Sequence, residues 1–288
     1  MKDKTLTRLF RLLFLVLVST NSFATPPVGS REYKLLLEPS LFNGSTPELA
    51  VSDFWTDLDQ LIQASINRTT SGSFSLSKTR TVKFYDTASS CLLYNNKLVF
   101  REREENSVRE VTLKYRSFDR YVSGYQDMSG TEADAVTKFE EDIATGYSIK
   151  YSHSTTQGIS ASKNLNKLDD PIRLYPGLLD YNFDDTQEIS LVGGLSVLEL
   201  VYKGTSVDLG SELGKFSLTL WYNSINLSAP AVAEISFKYK DASGYYSENV
   251  VTRAKKLFES MQTMNTWLAT NSMTKTAFVY NYNPSFCQ

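Results

Sequence analysis

The chain has 288 residues, of which 41% are hydrophobic and 22% charged, a globular composition long enough for one large or two small domains. Lys and Arg number 30 against 32 Asp and Glu, so no basic excess supports nonspecific nucleic-acid binding as the main role. The 17 Tyr and 16 Phe favour strands over helices.

The N-terminus has the pattern of a signal peptide over residues 1–24. Basic side chains precede the apolar run 12–18, which is too short to span a bilayer, and Ser22 and Ala24 provide small residues for cleavage after Ala24. An uncleaved anchor is the alternative. We expect residues 25–288 to form a single exported domain with a C-terminal helix and tail, periplasmic or extracellular, and without a membrane partner after signal cleavage.

Few residues are available for thiol or imidazole chemistry. Cys91, Cys287 and His153 are the only Cys and His residues, which excludes a Cys/His zinc site. Export permits a disulfide, but two free thiols fit the sequence equally well. His153 lies in the polar sequence SHSTT, where we expect a solvated loop.

The predicted elements are mostly strands. The first is 31–38, and helical spacing follows over 51–67, with Ser52 as the N-cap. A loop-rich stretch over 154–186 includes a short helix around 172–179, and a second long helix is predicted over 247–268. The remaining strands are predicted at 79–84, 98–104, 108–115, 138–143, 148–153, 197–202, 207–209, 216–222 and 232–239. The pattern predicts an α+β fold, an antiparallel β-barrel with helices packed outside.

Several predicted strands carry charges on one face and apolar residues on the other. Successive side chains of a strand alternate, so Arg101 and Arg103 share a face, as do Thr112 and Lys114. In a single strand such alternation fits a solvated face equally well. Across five strands, with charges of both signs, it favours a closed barrel with a charged lumen and helices covering the apolar outer faces.

Short motifs in the same strands resemble those of the CYTH-type triphosphate tunnel metalloenzymes, which include inorganic and thiamine triphosphatases and class IV adenylyl cyclases. The most specific block spans residues 85–114. The matching segments are 30–34 (SREYK), 85–87 (YDT), 100–103 (FRER), 111–114 (VTLK), 138–142 (KFEED) and 234–238 (EISFK). In the first and last segments, Ser30 and Ser236 stand where the family has carboxylates.

The resemblance implies a tunnel of roughly eight antiparallel strands, open at both ends, in which basic side chains hold a triphosphate and acidic ones hold Mg²⁺ or Mn²⁺. It assigns catalysis to Glu32 and Lys34. It assigns phosphate binding to Lys34, Arg101, Arg103, Lys114, Lys138, Lys203 and Lys238, and metal binding to Glu32, Glu140, Asp142 and Glu234. The serines at positions 30 and 236 weaken the metal site, and the remaining acids either bind one ion or only balance the cations.

The function predicted from the resemblance is an exported, divalent-metal-dependent triphosphatase that hydrolyses inorganic triphosphate or a related organic triphosphate. Phosphoryl transfer needs charge neutralisation and positioning, which these residue types supply. The alternative is a noncatalytic tunnel that binds polyphosphate or another polyanion. A barrel for an apolar ligand is a third interpretation, which the charged strand faces oppose. Nucleic acid is not expected as a partner.

Overall fold

The computed structural model describes residues 26–44, 46–223, 228–270 and 273–288, so the predicted signal peptide and its cleavage site lie outside the described residues. The strands are β1 (Ser30–Leu37), β2 (Thr70–Ser71), β3 (Ser75–Asp86), β4 (Leu98–Glu105), β5 (Val108–Ser117), β6 (Val136–Ala144), β7 (Ser148–Ile159), β8 (Ser190–Lys203), β9 (Ser206–Asp208), β10 (Leu213–Tyr222) and β11 (Val232–Lys240). The α-helices are α1 (Glu48–Ile66), α2 (Leu92–Asn95), α3 (Arg120–Gly124), α4 (Asp169–Leu174), α5 (Glu248–Met261) and α6 (Lys275–Tyr282).

Nine of these strands close into a barrel. Their order is β11-β1-β6-β7-β5-β4-β3-β8-β10, and β10 pairs back onto β11, while β9 and β2 extend the sheet from β10. This confirms the α+β barrel. Every barrel pair is antiparallel except β1–β6, in which Ser30 lies opposite Glu140 in a parallel register. The long intervening chain of α1 and β3 to β5 allows β6 to run in the same direction as β1.

The largest apolar core lies outside the barrel wall, under α1 and α5. Tyr33 of β1 and Phe237 of β11 point outward, with their rings stacked at a centroid distance of 4.6 Å, and Phe258 of α5 packs on Tyr33. Phe54 of α1 belongs to the same cluster. The two helices therefore cover the apolar strand faces, as predicted, and the opposite faces of these strands point into the lumen.

A C-terminal segment that the sequence patterns did not reveal covers part of one end of the barrel. There the lumen-facing residues are apolar and include Phe84 and Trp221, and Val279 of α6 belongs to the same cluster. Cys91 and Cys287 form a disulfide with a Cα–Cα distance of 5.2 Å, which decides between the two alternatives left open by the sequence. The bridge ties the end of the chain to the turn after β3.

Two local predictions are wrong. Helix α1 begins at Glu48, and its N-cap is Pro47 rather than Ser52. His153 lies within β7, not in a loop, and is 7% exposed, with Nδ1 3.1 Å from the carbonyl oxygen of Ser123. Burial lowers the pKa of His153. The run of Ser and Thr around it lines a barrel strand, where small hydroxyl side chains pair across strands and suit a polar lumen.

None of the helices in the described part of the chain is both long enough and apolar enough to cross a membrane.

Candidate functional site in the barrel lumen

The residues predicted for the site all line one cavity of about 600 Å³ inside the barrel. They are Glu32, Lys34, Arg101, Arg103, Lys114, Lys138, Glu140, Asp142, Lys203, Glu234 and Lys238. Their convergence follows from strand alternation, since every second residue of each barrel strand points inward. The cavity lining contains 11 basic and 5 acidic side chains, a net charge of +6, in a chain whose net charge is −2.

One wall of the lumen, formed by β1, β6 and β11, is internally paired. The ammonium group of Lys34 lies 3.0 Å from Glu32 Oε2 and 2.7 Å from Asp142 Oδ1. The ammonium group of Lys238 lies 3.0 Å from Glu140 Oε1, and the Ser30 hydroxyl donates to the same oxygen at 2.7 Å. Three carboxylates and two ammonium groups thus alternate along this wall, which we call the paired wall.

The paired wall keeps its acids ionised. Burial alone would raise the pKa of Glu32, but the ammonium groups of Lys34 and Lys238 outweigh it and lower this pKa to about 2. Burial would also raise the pKa of Asp142, but the charges of Lys34 and Arg116 outweigh it and lower this pKa. Asp142 Oδ2 accepts a hydrogen bond of 2.6 Å from Arg116 Nη2. These carboxylates are therefore charged throughout the physiological pH range.

Glu234 stands apart from the other predicted metal ligands. Its Oε1 lies 2.9 Å from the ammonium group of Lys275, which α6 brings into the lumen. The Lys275 ammonium group also lies 5.6 Å from the ring centroid of Trp221. The acidic side chain that the sequence suggested as a metal ligand is therefore the partner of a lysine from the C-terminal helix.

The opposite wall, formed by β3, β4, β5 and β8, carries excess positive charge, and we call it the basic wall. Within the described residues, Arg101 and Lys114 have no carboxylate within 4.0 Å, and the Nε of Arg101 is buried without a hydrogen-bond partner. Burial lowers the pKa of Arg101, as does the nearby Arg103. Burial also lowers the pKa of Lys114 to about 7.

A single buried carboxylate partly balances the basic wall. Glu199 of β8 is 1% exposed, forms an ion pair with Arg80, and lies 3.4 Å from Arg103 Nε. Trp221 Nε1 donates to its other oxygen at 2.8 Å. Burial would raise the pKa of Glu199, but the positive charges of Arg103, Lys275 and Arg80 outweigh this effect and lower the pKa.

The lumen contains charged residues that were not predicted from the sequence, namely Arg80, Arg116, Lys150, Glu199 and Lys275. Glu199 had a signal, because a single acid in the apolar run LSVLELVY is rarely buried without a partner. Arg80 and Arg116 continue the alternation of their strands. No sequence pattern pointed to Lys275, because its helix reaches the lumen only through the tertiary fold.

The acids do not fit a preformed metal site. Across residues 26–44, 46–223, 228–270 and 273–288, no three Asp, Glu, His or Cys side chains are grouped so as to hold a metal ion. The lysines of the paired wall occupy the space between the carboxylates, and Ser30 and Ser236 contribute no charge there.

The Tyr85-Asp86-Thr87 motif has a structural role. Asp86 is fully buried and accepts hydrogen bonds from the backbone N–H groups of Leu93 and Tyr94, both at 2.9 Å, at the start of α2. The hydroxyl of Tyr280 in α6 also donates to it, at 2.8 Å. The turn therefore anchors α2 and α6 at one end of the barrel, and its three residues do not line the lumen cavity.

No protein-family model matches the chain, and no curated protein matches it significantly. Among solved structures, 14 chains match. A Hippeastrum protein described as an adenylyl cyclase with a dominant triphosphatase activity is 16% identical, covers 88% of this chain and 96% of its own, and has a TM-score of 0.45. A Bacillus halodurans protein described as an adenylate cyclase is 12% identical over 87% and 98% of the two chains, with a TM-score of 0.39.

The closed barrel with its charged lumen confirms the tunnel architecture that the resemblance to the CYTH-type proteins implied.

Proposed function

We propose that the protein binds a compact polyphosphate, such as inorganic triphosphate or the triphosphate of an organic molecule, against the basic wall of the lumen. The observation that carries this proposal is the surplus of cations there. Among the described residues, Arg101 and Lys114 face the lumen without a carboxylate partner, although every carboxylate of the paired wall has a lysine.

Excess buried charge is costly unless an opposite charge neutralises it. A triphosphate supplies several negative charges in a row, and the guanidinium groups of Arg101 and Arg103 can each donate two hydrogen bonds to its oxygens. Hydroxyl groups of Thr112, Ser154 and Thr156 line the same cavity and add neutral donors. A neutral or apolar ligand would leave the cations unbalanced.

The test is calorimetric titration with tripolyphosphate in the presence of EDTA. We expect Arg101→Ala and Lys114→Ala each to weaken binding about 10- to 100-fold, the effect of losing a charge-assisted hydrogen bond. Arg173→Ala is the matched control, since Arg173 lies on α4, is 73% exposed and only pairs with Asp169. Binding that is unchanged by Arg101→Ala would refute the proposal.

Hydrolysis of the bound triphosphate is the second candidate function. It is favoured by the ionised carboxylates of Glu32, Glu140 and Asp142, which lie on the wall across the lumen from the basic residues. Because these acids form no preformed metal site among the described residues, Mg²⁺ or Mn²⁺ would have to enter bound to the triphosphate, and would then supply further charge neutralisation for phosphoryl transfer. Catalytic roles for Glu32 and Lys34 apply only if the protein hydrolyses triphosphate. Binding of tripolyphosphate in EDTA is expected whether or not the protein is an enzyme.

Phosphate release from tripolyphosphate, measured with Mg²⁺, with Mn²⁺ and with EDTA, separates the two candidates. We expect an enzyme to release phosphate only with metal and to lose that activity in Glu32→Gln, which keeps the shape of the side chain. Tight binding without turnover in any of these conditions would leave the noncatalytic tunnel as the function.

We further propose that the protein is exported. The N-terminal sequence pattern and the Cys91–Cys287 disulfide support this, because disulfides persist mainly in oxidising compartments. Fractionation of cells that express the full chain, with detection of the mature N-terminus by mass spectrometry, tests both export and cleavage after Ala24.

A further inference from the structure

Lysine side chains surround much of the lumen mouth at the end where β1 begins. Four exposed lysines stand at or near the ends of their strands on the lumen-facing side, and we call them the collar. They are Lys138 of β6, Lys203 of β8, Lys215 of β10 and Lys240 of β11. Only Lys138 and Lys203 also line the lumen cavity, so the collar extends the basic surface beyond the site described above.

The collar lysines lack balancing charges. Among the described residues none of the four forms an ion pair, whereas the neighbouring Lys78 is paired with Glu105 at 2.9 Å. Among the described residues, the acids at this rim, such as Glu110 of β5 and Asp241 directly after β11, form no ion pair with a collar lysine.

The sheet register places one collar lysine beside a lysine of the lumen. Lys215 of β10 lies directly opposite Lys238 of β11, and Glu140 balances only Lys238 of these two. Burial lowers the pKa of Lys240, and the charges of Lys238, Lys138 and Lys215 lower it further, against the opposing charge of Glu140. Such repulsion is relieved when an anion lies among the lysines.

We infer that the collar is a second anion-binding site, which holds the part of a linear inorganic polyphosphate that extends out of the lumen. This inference rests on the proposed function, because it needs a phosphate group in the lumen at the basic wall. It makes the preferred ligand a phosphate polymer longer than triphosphate. The collar and the lumen form one continuous basic surface, joined at Lys203, Lys138 and Lys238.

The chemistry of the mouth favours a phosphate polymer over a single-stranded nucleic acid. Nucleic-acid channels combine basic residues with aromatic side chains on which bases stack. The aromatic residues of the cavity lining, Phe84 and Trp221, are buried under α6 at the other end of the barrel, and the collar positions are lysines. The cavity lining therefore offers charge at this mouth without a stacking surface.

The experiment compares affinity for tripolyphosphate and for a polyphosphate of about 15 phosphates in wild type and in Lys215→Ser/Lys240→Ser. We expect the double variant to lose about tenfold affinity for the longer chain and less than about twofold for tripolyphosphate, since each lost phosphate contact removes part of the electrostatic affinity. Lys255→Ser/Lys256→Ser, on the exposed side of α5, removes the same charge and should leave both affinities unchanged.

An equal loss for both chain lengths would mean that the collar only attracts anions at long range, and would overturn the inference. Competition by single-stranded oligo(dT) as strong as by polyphosphate of equal charge would overturn the choice of ligand. Arg101→Ala should weaken the binding of both chain lengths alike. If it weakens neither, the proposed lumen site fails, independently of the collar.

Discussion

At the scale of single residues, charge balance distinguishes lumen side chains that look alike in the sequence. Lys34 and Lys238 resemble phosphate-binding lysines in sequence, yet both are held between carboxylates of the paired wall. Lys114 has the same residue type and the same inward direction, but no partner among the described side chains. Alternation along a strand predicts the direction of a side chain, whereas its partners depend on strands distant in sequence.

The unbalanced charge of Lys114 predicts a pH-dependent stability. Its pKa of about 7 in the folded chain lies below the value of about 10.4 in an unfolded chain, so folding releases protons between these pH values. The contribution of Lys114 to stability is therefore smallest below pH 7 and rises toward pH 10. We expect Lys114→Met to raise the melting temperature at pH 6 by about 2–6 °C, for a gain of about 1–2 kcal/mol, and the gain to shrink as pH rises.

The measurement is thermal unfolding of the wild type and the variant between pH 6 and pH 9.5. Lys114→Arg, which stays charged at all these pH values, is the control and should show no gain at pH 6. A gain from Lys114→Met that is the same at every pH would mean that packing, not charge, causes it.

At the scale of elements, the sequence predicted the long strands and the two covering helices, because both are amphipathic with clear periods. The inward position of Arg101, Lys114 and Glu234 followed directly from a period of two. Helix α6 was missed because it lacks an apolar stripe of its own and packs across the barrel end instead. The parallel β1–β6 pair was equally hidden, since strand order is set by long-range pairing and not by local pattern.

The attachment of α6 predicts a local effect of disulfide loss. The Cys91–Cys287 bridge closes a loop with a sequence separation of 196, and removing it frees the chain end in both the folded and the unfolded state. We expect Cys91→Ala/Cys287→Ala to lower the free energy of unfolding by about 2–4 kcal/mol, measured with denaturant. Amide hydrogen exchange should rise more over α6 than in β1, because only noncovalent contacts, such as the Tyr280–Asp86 hydrogen bond and the Lys275–Glu234 ion pair, then hold the segment.

Reduction of the wild type with dithiothreitol should reproduce the effect of the double variant, and the variant itself should not respond to the reductant. Unchanged exchange over α6 in both proteins would show that packing alone keeps the helix in place.

At the scale of the whole molecule, charge is separated between the inside and the outside of the barrel. The described residues contain 26 Lys and Arg against 31 Asp and Glu, a net charge of −5. Because the lumen lining carries +6, the other described residues carry −11. This separation explains why the overall composition gave no support for binding nucleic acid, whereas the charged strand faces predicted binding of a polyanion in the lumen. An acidic exterior repels large polyanions that cannot enter the lumen or follow its rim, and the basic interior attracts small ones.

This separation predicts a salt dependence that differs between ligands. Raising the salt concentration from about 0.05 M to 0.5 M shortens the screening length severalfold, and we expect it to weaken tripolyphosphate binding at least tenfold. Removing one phosphate-binding cation should make a plot of log affinity against log salt shallower by about 1, so Arg101→Ala should have a flatter slope than wild type or Arg173→Ala. Duplex DNA, too wide for the lumen, should not bind at either salt concentration. Both effects are measured by titrating all three proteins across the salt series, with duplex DNA as the second ligand. Tight DNA binding at low salt would contradict the prediction, because it would require a basic surface outside the barrel.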